Sequence, residues 1–242
     1  MRVDGGEVNA DKAALVRAMF ARIVPRYDLM NSLMTGGMDR RWRQVAARTC
    51  EPRGTVALDI ATGTGELALE MVRQGARRVV GLDFCGPMLE QAARKTAHLY
   101  PAVRLVAGDA LALPFPDASF DRVTNGFLLR NLADLPRGLK EMARVLKPGG
   151  RVVCLEITHP PSRLFRTLFV PFFYRFIPVL GAAVAGDPQA YSYLPNSLTH
   201  FPDAPRLSEM MRQAGFAQVS YRFLGFGAVA VHVGIKNGMD WR

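Results

Sequence analysis

Leu58-Asp59-Ile60-Ala61-Thr62-Gly63-Thr64-Gly65-Glu66-Leu67 is the stretch on which the fold turns. Val56-Ala57-Leu58 is a short apolar strand that runs into an acid. Gly63 and Gly65 then allow a tight turn, and Leu67, Leu69, Met71 and Val72 open a helical run. Glycines at such a turn let a ligand approach the main chain closely. A dinucleotide-binding loop would place a third glycine at position 68 and a pyrophosphate at the helix N-terminus. Here Ala68 stands in that place, and the carboxylate of Asp59, just ahead of the loop, repels phosphate and suits a cationic amino-acid ligand. Alone, a Gly-x-Gly also fits an ordinary βα turn.

Outward from this loop the pattern repeats. Strands are expected at Arg78–Asp83, Val103–Ala107, Phe120–Asn125 and Arg151–Ile157, and helices at Pro87–Leu99 and Leu135–Leu146, the latter ended by Lys147-Pro148-Gly149-Gly150. Strand and helix joined by short links predict βαβ units, hence an α/β fold with a mostly parallel sheet and helices on both faces. Val219, Tyr221 and Phe223 alternate, as do Val229, Val231 and Val233, and the short glycine-bearing link between them predicts an antiparallel hairpin. The helix before them runs from Asp203, a good N-cap, to Gly215. Ahead of the sheet, residues 11–24 form an apolar helical stripe stopped by Pro25, and 39–49 form a basic helix.

Three acids close three strands. Asp83 ends the second, where a carboxylate can accept both ribose hydroxyls or cap the helix that follows. Asp109, after the third, can receive an adenine amino group or serve as a turn residue. With Asp59 they predict one crevice above the sheet, where open α/β folds bind ligands.

The 242 residues are 49% hydrophobic and 21% charged, which excludes a disordered or fibrous chain. Three separated cysteines exclude a disulfide scaffold and suit a reducing compartment. The net charge of +10 favours acidic partners such as lipid headgroups or nucleic acid, although the bases form no tail and no stripe. Residues 158–202 break the alternation. Leu164–Ile177 is dense in aromatics, but Arg166, Arg175 and Pro171 interrupt it, and it is too short and too charged for a membrane span of about 20 apolar residues. It reads as an insertion that caps something.

With these residues in place the chain resembles the class I S-adenosylmethionine (SAM) methyltransferases, and more narrowly the UbiE-type quinone-biosynthesis C-methyltransferases. The narrow resemblance rests on Tyr27-Asp28-Leu29-Met30-Asn31-Ser32-Leu33-Met34, Trp42, Phe127-Leu128-Leu129-Arg130-Asn131, and Arg144–Arg151 leading to Glu156. It spans about residues 13 to 235. Departures are Thr35 and Thr158 where relatives typically carry Ser, Asp39 where they carry His, and Ala61-Thr62 where Gly pairs are frequent.

The resemblance implies a Rossmann-like class I methyltransferase fold with a seven-stranded sheet. It implies one domain over 1–242, with an N-terminal helical cap at about 11–50 and a substrate-capping insertion at about 158–202. The cofactor implied is SAM, held by Asp59, Gly63, Thr64, Gly65, Asp83, Asp109, Ala110 and Gly126; no metal is expected. Arg130 with Asn131, aided by Tyr27, falls on the family's catalytic positions, although Arg130 could equally pair with a surface carboxylate and Tyr27 could be a core aromatic. Cys85 is expected to line the pocket, and His159 and His200 to be structural. The substrate implied is a prenylated quinol, demethylmenaquinol first and its benzoquinol counterpart second. A cytoplasmic protein with no nucleic-acid partner completes the expectation; it is either a monomer or a homodimer, and residues 164–180 either touch the inner face of the membrane or only roof the site. The rival activities are methylation of another lipid such as phosphatidylethanolamine, and RNA binding on the same fold.

Overall fold

The computed structural model describes residues 5–162 and 187–238, with nine positions between them: 165, 167, 171, 172, 175, 177, 179, 181 and 182. Of the aromatic stretch, Arg163, Leu164, Arg166, Leu168, Phe169, Phe173 and Phe176 lie outside the described residues.

Period-two alternation gives the sheet two cores. Strand β1 (Val56–Ile60) sends Leu58 and Ile60 to one side with Leu82, Val123, Val152 and Cys154. Ala57 goes to the other with Val79, Val153, Leu155 and Val231. Helices α3 (Met38–Cys50) and α4 (Glu66–Arg73) cover the second side through Ala46, Ala47, Leu67 and Met71. Helices α1 (Gly5–Ile23), α6 (Leu135–Val145) and α8 (Ala204–Gln213) cover the first through Met19, Leu139, Met142, Leu207 and Met211. Coverage on both faces is why the apolar cores of β1, of β2 (Arg78–Asp83) and of β5 (Leu146–Ile157) read as short runs and not as a strict alternation.

The strands β2 (Arg78–Asp83), β3 (Val103–Ala107), β4 (Phe120–Gly126), β5 (Leu146–Ile157), β6 (Phe216–Leu224) and β7 (Val229–Lys236) complete one sheet in the order β3-β2-β1-β4-β5-β7-β6. The first five are parallel, and β7 is antiparallel to both β5 and β6, which is the expected hairpin. Strand β5 starts earlier than expected. Leu146 pairs with Phe120 before the Lys147–Gly150 turn bulges out, and the ladder resumes at Arg151 opposite Arg122. The order reverses between β1 and β4, so the crevice for a ligand opens at the carboxyl ends of those strands.

Three elements carry the site toward this crevice. Helix α1 ends before the 3₁₀ turn Val24–Arg26, which contains Pro25, and α2 (Tyr27–Thr35) follows directly. A Gly36-Gly37 pair with φ of +58° and +78° then reverses the chain into α3. Helix α5 (Gly86–Thr96) follows β2. Helix α7 (Pro188–Thr199) is capped by Asp187, whose carboxylate accepts from the Ala190 N–H at 3.0 Å. Asp203 caps α8 in the same way, accepting from the Arg206 N–H at 2.9 Å. Among the described residues no helix is long and apolar enough to cross a membrane.

Candidate active site

The loop after β1 is held by its neighbours. The Asp59 carboxylate is buried and accepts hydrogen bonds from the Thr62 hydroxyl at 2.7 Å and the Thr124 hydroxyl at 2.9 Å. Burial pushes its carboxyl up to about 6, against the pull of those two hydroxyls. Asp59 therefore sits beneath the loop and ties it to β4, instead of closing the rim with the other two acids as expected. Gly63 has φ +57°, and a Cβ there would meet only a Tyr27 ring carbon at 4.0 Å, so its open side faces ligand space. Gly65 has φ +85° and lies 3.4 Å, by the same measure, from the Ala92 side chain on α5. It shapes the loop and packs two helices together. Ala61 takes φ +54°, where a side chain costs about 1–2 kcal/mol and glycine is unstrained.

A second tie comes from α2. The Thr64 hydroxyl donates to Asp28 at 2.6 Å, and Lys95 on α5 bridges Asp28 at 2.5 Å and Glu66 at 2.6 Å. This clamp fixes the start of α2 over the glycine loop.

Two cavities meet here. The first is lined by Gly63, Asp83, Phe84, Met88, Asp109, Ala110 and Gly126, with Tyr27, Phe127 and Asn131 at one end. Asp83 accepts from the Gly63 N–H at 2.8 Å and the Cys85 N–H at 2.9 Å, so the main chain orients both oxygens. Burial pushes its carboxyl up, opposed by those N–H groups. Asp109 is exposed and accepts from the Leu111 N–H at 2.8 Å.

The second cavity encloses about 940 Å³ of empty space, part of it open to solvent. Its walls are mainly apolar: Met19, Phe20, Ile23, Met34, Trp42, Ile157, Phe172, Ile177 and Val229. Five buried polar atoms on its lining residues have no partner among the described residues: Asn31 Nδ2, Arg130 Nε, Asn131 Oδ1, and the hydroxyls of Tyr191 and Tyr193. Buried polar groups are normally hydrogen-bonded, so this set is matched to a polar ligand group inside an apolar chamber. Burial pushes the Tyr191 hydroxyl up to about 12 and raises Tyr193 too, so both remain donors at neutral pH.

Arg130 lies at the junction. Its Nη1 forms a buried ion pair with Glu156 Oε1 and donates to the Phe127 carbonyl at 3.1 Å. Asn131 Nδ2 donates to the same carbonyl at 3.0 Å. Phe127 holds φ +62°, a left-handed conformation that a bulky residue keeps only when its surroundings enforce it.

The structure thus gathers Asp83, Asp109, Ala110, Gly63 and Gly126 on one cavity, and Tyr27 and Asn131 on both. Thr64 and Asp59 line a small polar annex to the first cavity. Gly65 lines neither cavity nor annex. The partner of Arg130 is a buried carboxylate and not a surface one. Cys85 does not line the pocket. It caps α5, and its thiol faces the Arg17 carbonyl at 4.0 Å. His159 Nε2 contacts the Phe201 carbonyl at 3.1 Å, His200 ends α7 in solvent, and neither lines the two cavities. Asn31, Tyr191 and Tyr193 were not reached from the residues alone; only Asn31 falls within a stretch quoted for the resemblance.

The ubiE/COQ5 methyltransferase family model matches residues 7–236. The chain belongs to that family. It is 46% identical to a demethylmenaquinone methyltransferase of Deinococcus radiodurans, over 93% of this chain and 94% of the relative. It is 47% identical to one from Thermus thermophilus, covering 89% and 99%. A ubiquinone/menaquinone biosynthesis C-methyltransferase UbiE of Paracoccus denitrificans is 41% identical, covering 93% and 92%. Among solved structures, a SAM-dependent methyltransferase from Thermotoga maritima shares the fold with a TM-score of 0.67 at 22% identity, covering 92% of this chain and all of that one. SAM, the cofactor implied for this fold, suits the residues present. Asp83 offers oriented acceptors for ribose, and Gly63 leaves the main chain open.

Proposed function

We propose that this methyltransferase transfers a methyl group from SAM to a ring carbon of a reduced prenylated quinol, demethylmenaquinol in the first place. The observation that carries the reading is the meeting of the two cavities at Tyr27, Phe127 and Asn131, with unpartnered buried polar atoms on several residues that line the apolar chamber. A quinol offers that chemistry: two hydroxyls on a ring with a long apolar tail. The relatives named for demethylmenaquinone support the acceptor.

When bound, SAM supplies a methyl group activated on a sulfonium. The protein's part is to align the acceptor and to favour its phenolate, whose proton passes to water. The nucleophilic ortho carbon takes the methyl group as the methyl–sulfur bond breaks. Its ring hydrogen then leaves as a proton while the oxygen is reprotonated, with one proton released to solvent overall. Arg130 cannot act as an ordinary base, because a guanidinium carries only donors and no lone pair that accepts a proton at physiological pH. Its free Nε, with the hydroxyls of Tyr191 and Tyr193, instead stabilises the developing oxyanion by hydrogen bonds in a water-poor site. Alignment in such a chamber is worth up to about 7–11 kcal/mol of barrier. The test is purified protein with labelled SAM and, separately, reduced demethylnaphthoquinone, reduced benzoquinone, phosphatidylethanolamine and RNA. Ring methylation of the naphthoquinol is expected, and label in phospholipid or RNA alone would overturn the reading.

A prenylated acceptor resides in lipid, so contact with an anionic membrane surface belongs to the same proposal. Phe226 is 81% exposed at left-handed φ on the β6–β7 turn and packs on Phe165 at 5.6 Å. Gly225 beside it abuts Trp42 of the acceptor cavity. Leu33 and Met38 are exposed on the elements leading to Trp42, and Arg40 and Arg41 follow in solvent. Apolar side chains next to bases suit an interface with anionic headgroups. Anionic vesicles should therefore sediment the protein at low salt and release it at roughly 0.5 M salt. Phe226→Ser/Met38→Ser should at least halve the bound fraction. No sedimentation at low salt, with a detergent-dispersed quinol still methylated, would remove the membrane contact.

A further inference from the structure

The polar annex beside the cofactor cavity holds a buried cation that nothing above uses. It shares Tyr27, Gly63 and Gly126 with that cavity and adds Thr64, Asp59 and Arg43. Arg43, on the inner side of α3, is buried. Its Nη1 donates to Asp39 one helical turn earlier at 2.5 Å, and its guanidinium lies 5.8 Å from the Phe127 ring centroid. Its Nε and Nη2 make no hydrogen bond to any described residue. Among the described residues Arg43 is the one cation lining the annex. Asp59 is an acceptor oriented by one hydroxyl on each oxygen, and Glu66 is held by Lys95, so neither carboxylate supplies a donor to the annex.

We propose that Arg43 binds the carboxylate of the methionine end of SAM and so fixes the sulfonium relative to the acceptor cavity. With the ribose at Asp83, the amino-acid end is the part of the cofactor left to fill an annex beyond Gly63. A planar fork of donors fits a carboxylate in two-point contact, and burial strengthens it. Asp39 balances the guanidinium before the cofactor arrives, which an unpaired buried charge would require.

Calorimetry with S-adenosylhomocysteine and with methylthioadenosine, which lacks the amino-acid end, tests this directly. Arg43→Gln should weaken S-adenosylhomocysteine binding by 10- to 100-fold, about the range for a charge-assisted contact, and leave methylthioadenosine within about twofold. Asp39→Asn/Arg43→Gln removes both buried charges, keeps the fold independent of the pair, and should show the same split. Arg43→Lys should recover part of the lost affinity. Equal loss for both ligands, or full S-adenosylhomocysteine affinity in the double variant, would overturn the assignment. Wild-type binding of methylthioadenosine reports on the nucleoside cavity alone. Its absence would show that the cofactor placement had failed, and the assignment with it.

Discussion

Arg130→Ala should lower methyl transfer by about two to three orders of magnitude and destabilise the fold at the same time. The first effect is the usual cost of removing one donor to a developing oxyanion. The second follows from Glu156, whose side chain is 1% exposed and whose Oε1 keeps only the Ile157 N–H at 2.9 Å once the guanidinium has gone. Removing one partner of a buried ion pair costs about 3–5 kcal/mol, because the remaining charge is left uncompensated. Two further variants separate catalysis from stability. Arg130→Lys keeps a cation beside Glu156 and should restore most of the Tm, yet it cannot pair with Glu156 and point a second donor into the cavity, so turnover should stay low. Arg130→Met/Glu156→Gln removes both charges and should fold well without activity. Thermal melts alongside single-turnover rates check this, with SAM affinity expected to change little. Normal turnover in a folded Arg130→Met/Glu156→Gln protein would make Arg130 purely structural.

The sheet was legible because its central strands β1, β2 and β5 are largely buried, its C-terminal hairpin alternates, and its turns carry glycine or a capping acid. What escaped has physical causes. In α2 the apolar residues point both ways, Met30 inward and Leu29 and Leu33 into solvent, so no stripe announces the helix. Asp59 faces Thr124 in the β1–β4 register, which aims its side chain under the loop, and the direction of a side chain near a strand end cannot be read from the strand alone. The Arg130–Glu156 pair depends on β4 lying parallel to β5, with Gly126 opposite Leu155. In the basic helix α3, Arg40 and Arg41 are exposed while Arg43 is buried. The Asp39-to-Arg43 spacing of four was the available signal for that pair.

Asp83→Ala should weaken both S-adenosylhomocysteine and methylthioadenosine by at least tenfold, since both carry the ribose. That common loss sets it apart from the Arg43 variants, which should spare methylthioadenosine. A hydrogen bond to a charged acceptor contributes about 1.5–3 kcal/mol, and one such bond already accounts for the tenfold. Asp83 also orients the glycine loop through the Gly63 N–H, so its removal loosens the cradle as well as the ligand contact. Asp83→Asn should bind poorly too, because one carbonyl oxygen cannot serve both the Gly63 and Cys85 donors. Calorimetry showing unchanged affinity in Asp83→Ala would take the ribose contact away from this residue. Stability should respond with pH in a defined direction. Burial raises the folded Asp83 carboxyl above its ordinary value, so the native state holds the proton more tightly than the unfolded chain does. That contribution grows as pH falls toward and below the raised value and fades as pH rises through it. The alanine variant lacks it. The Tm of the wild type relative to Asp83→Ala should therefore rise as pH falls from neutral toward the ordinary carboxylate range, and a gap that moves the other way would mean that the native protein favours the ionised carboxylate at this position.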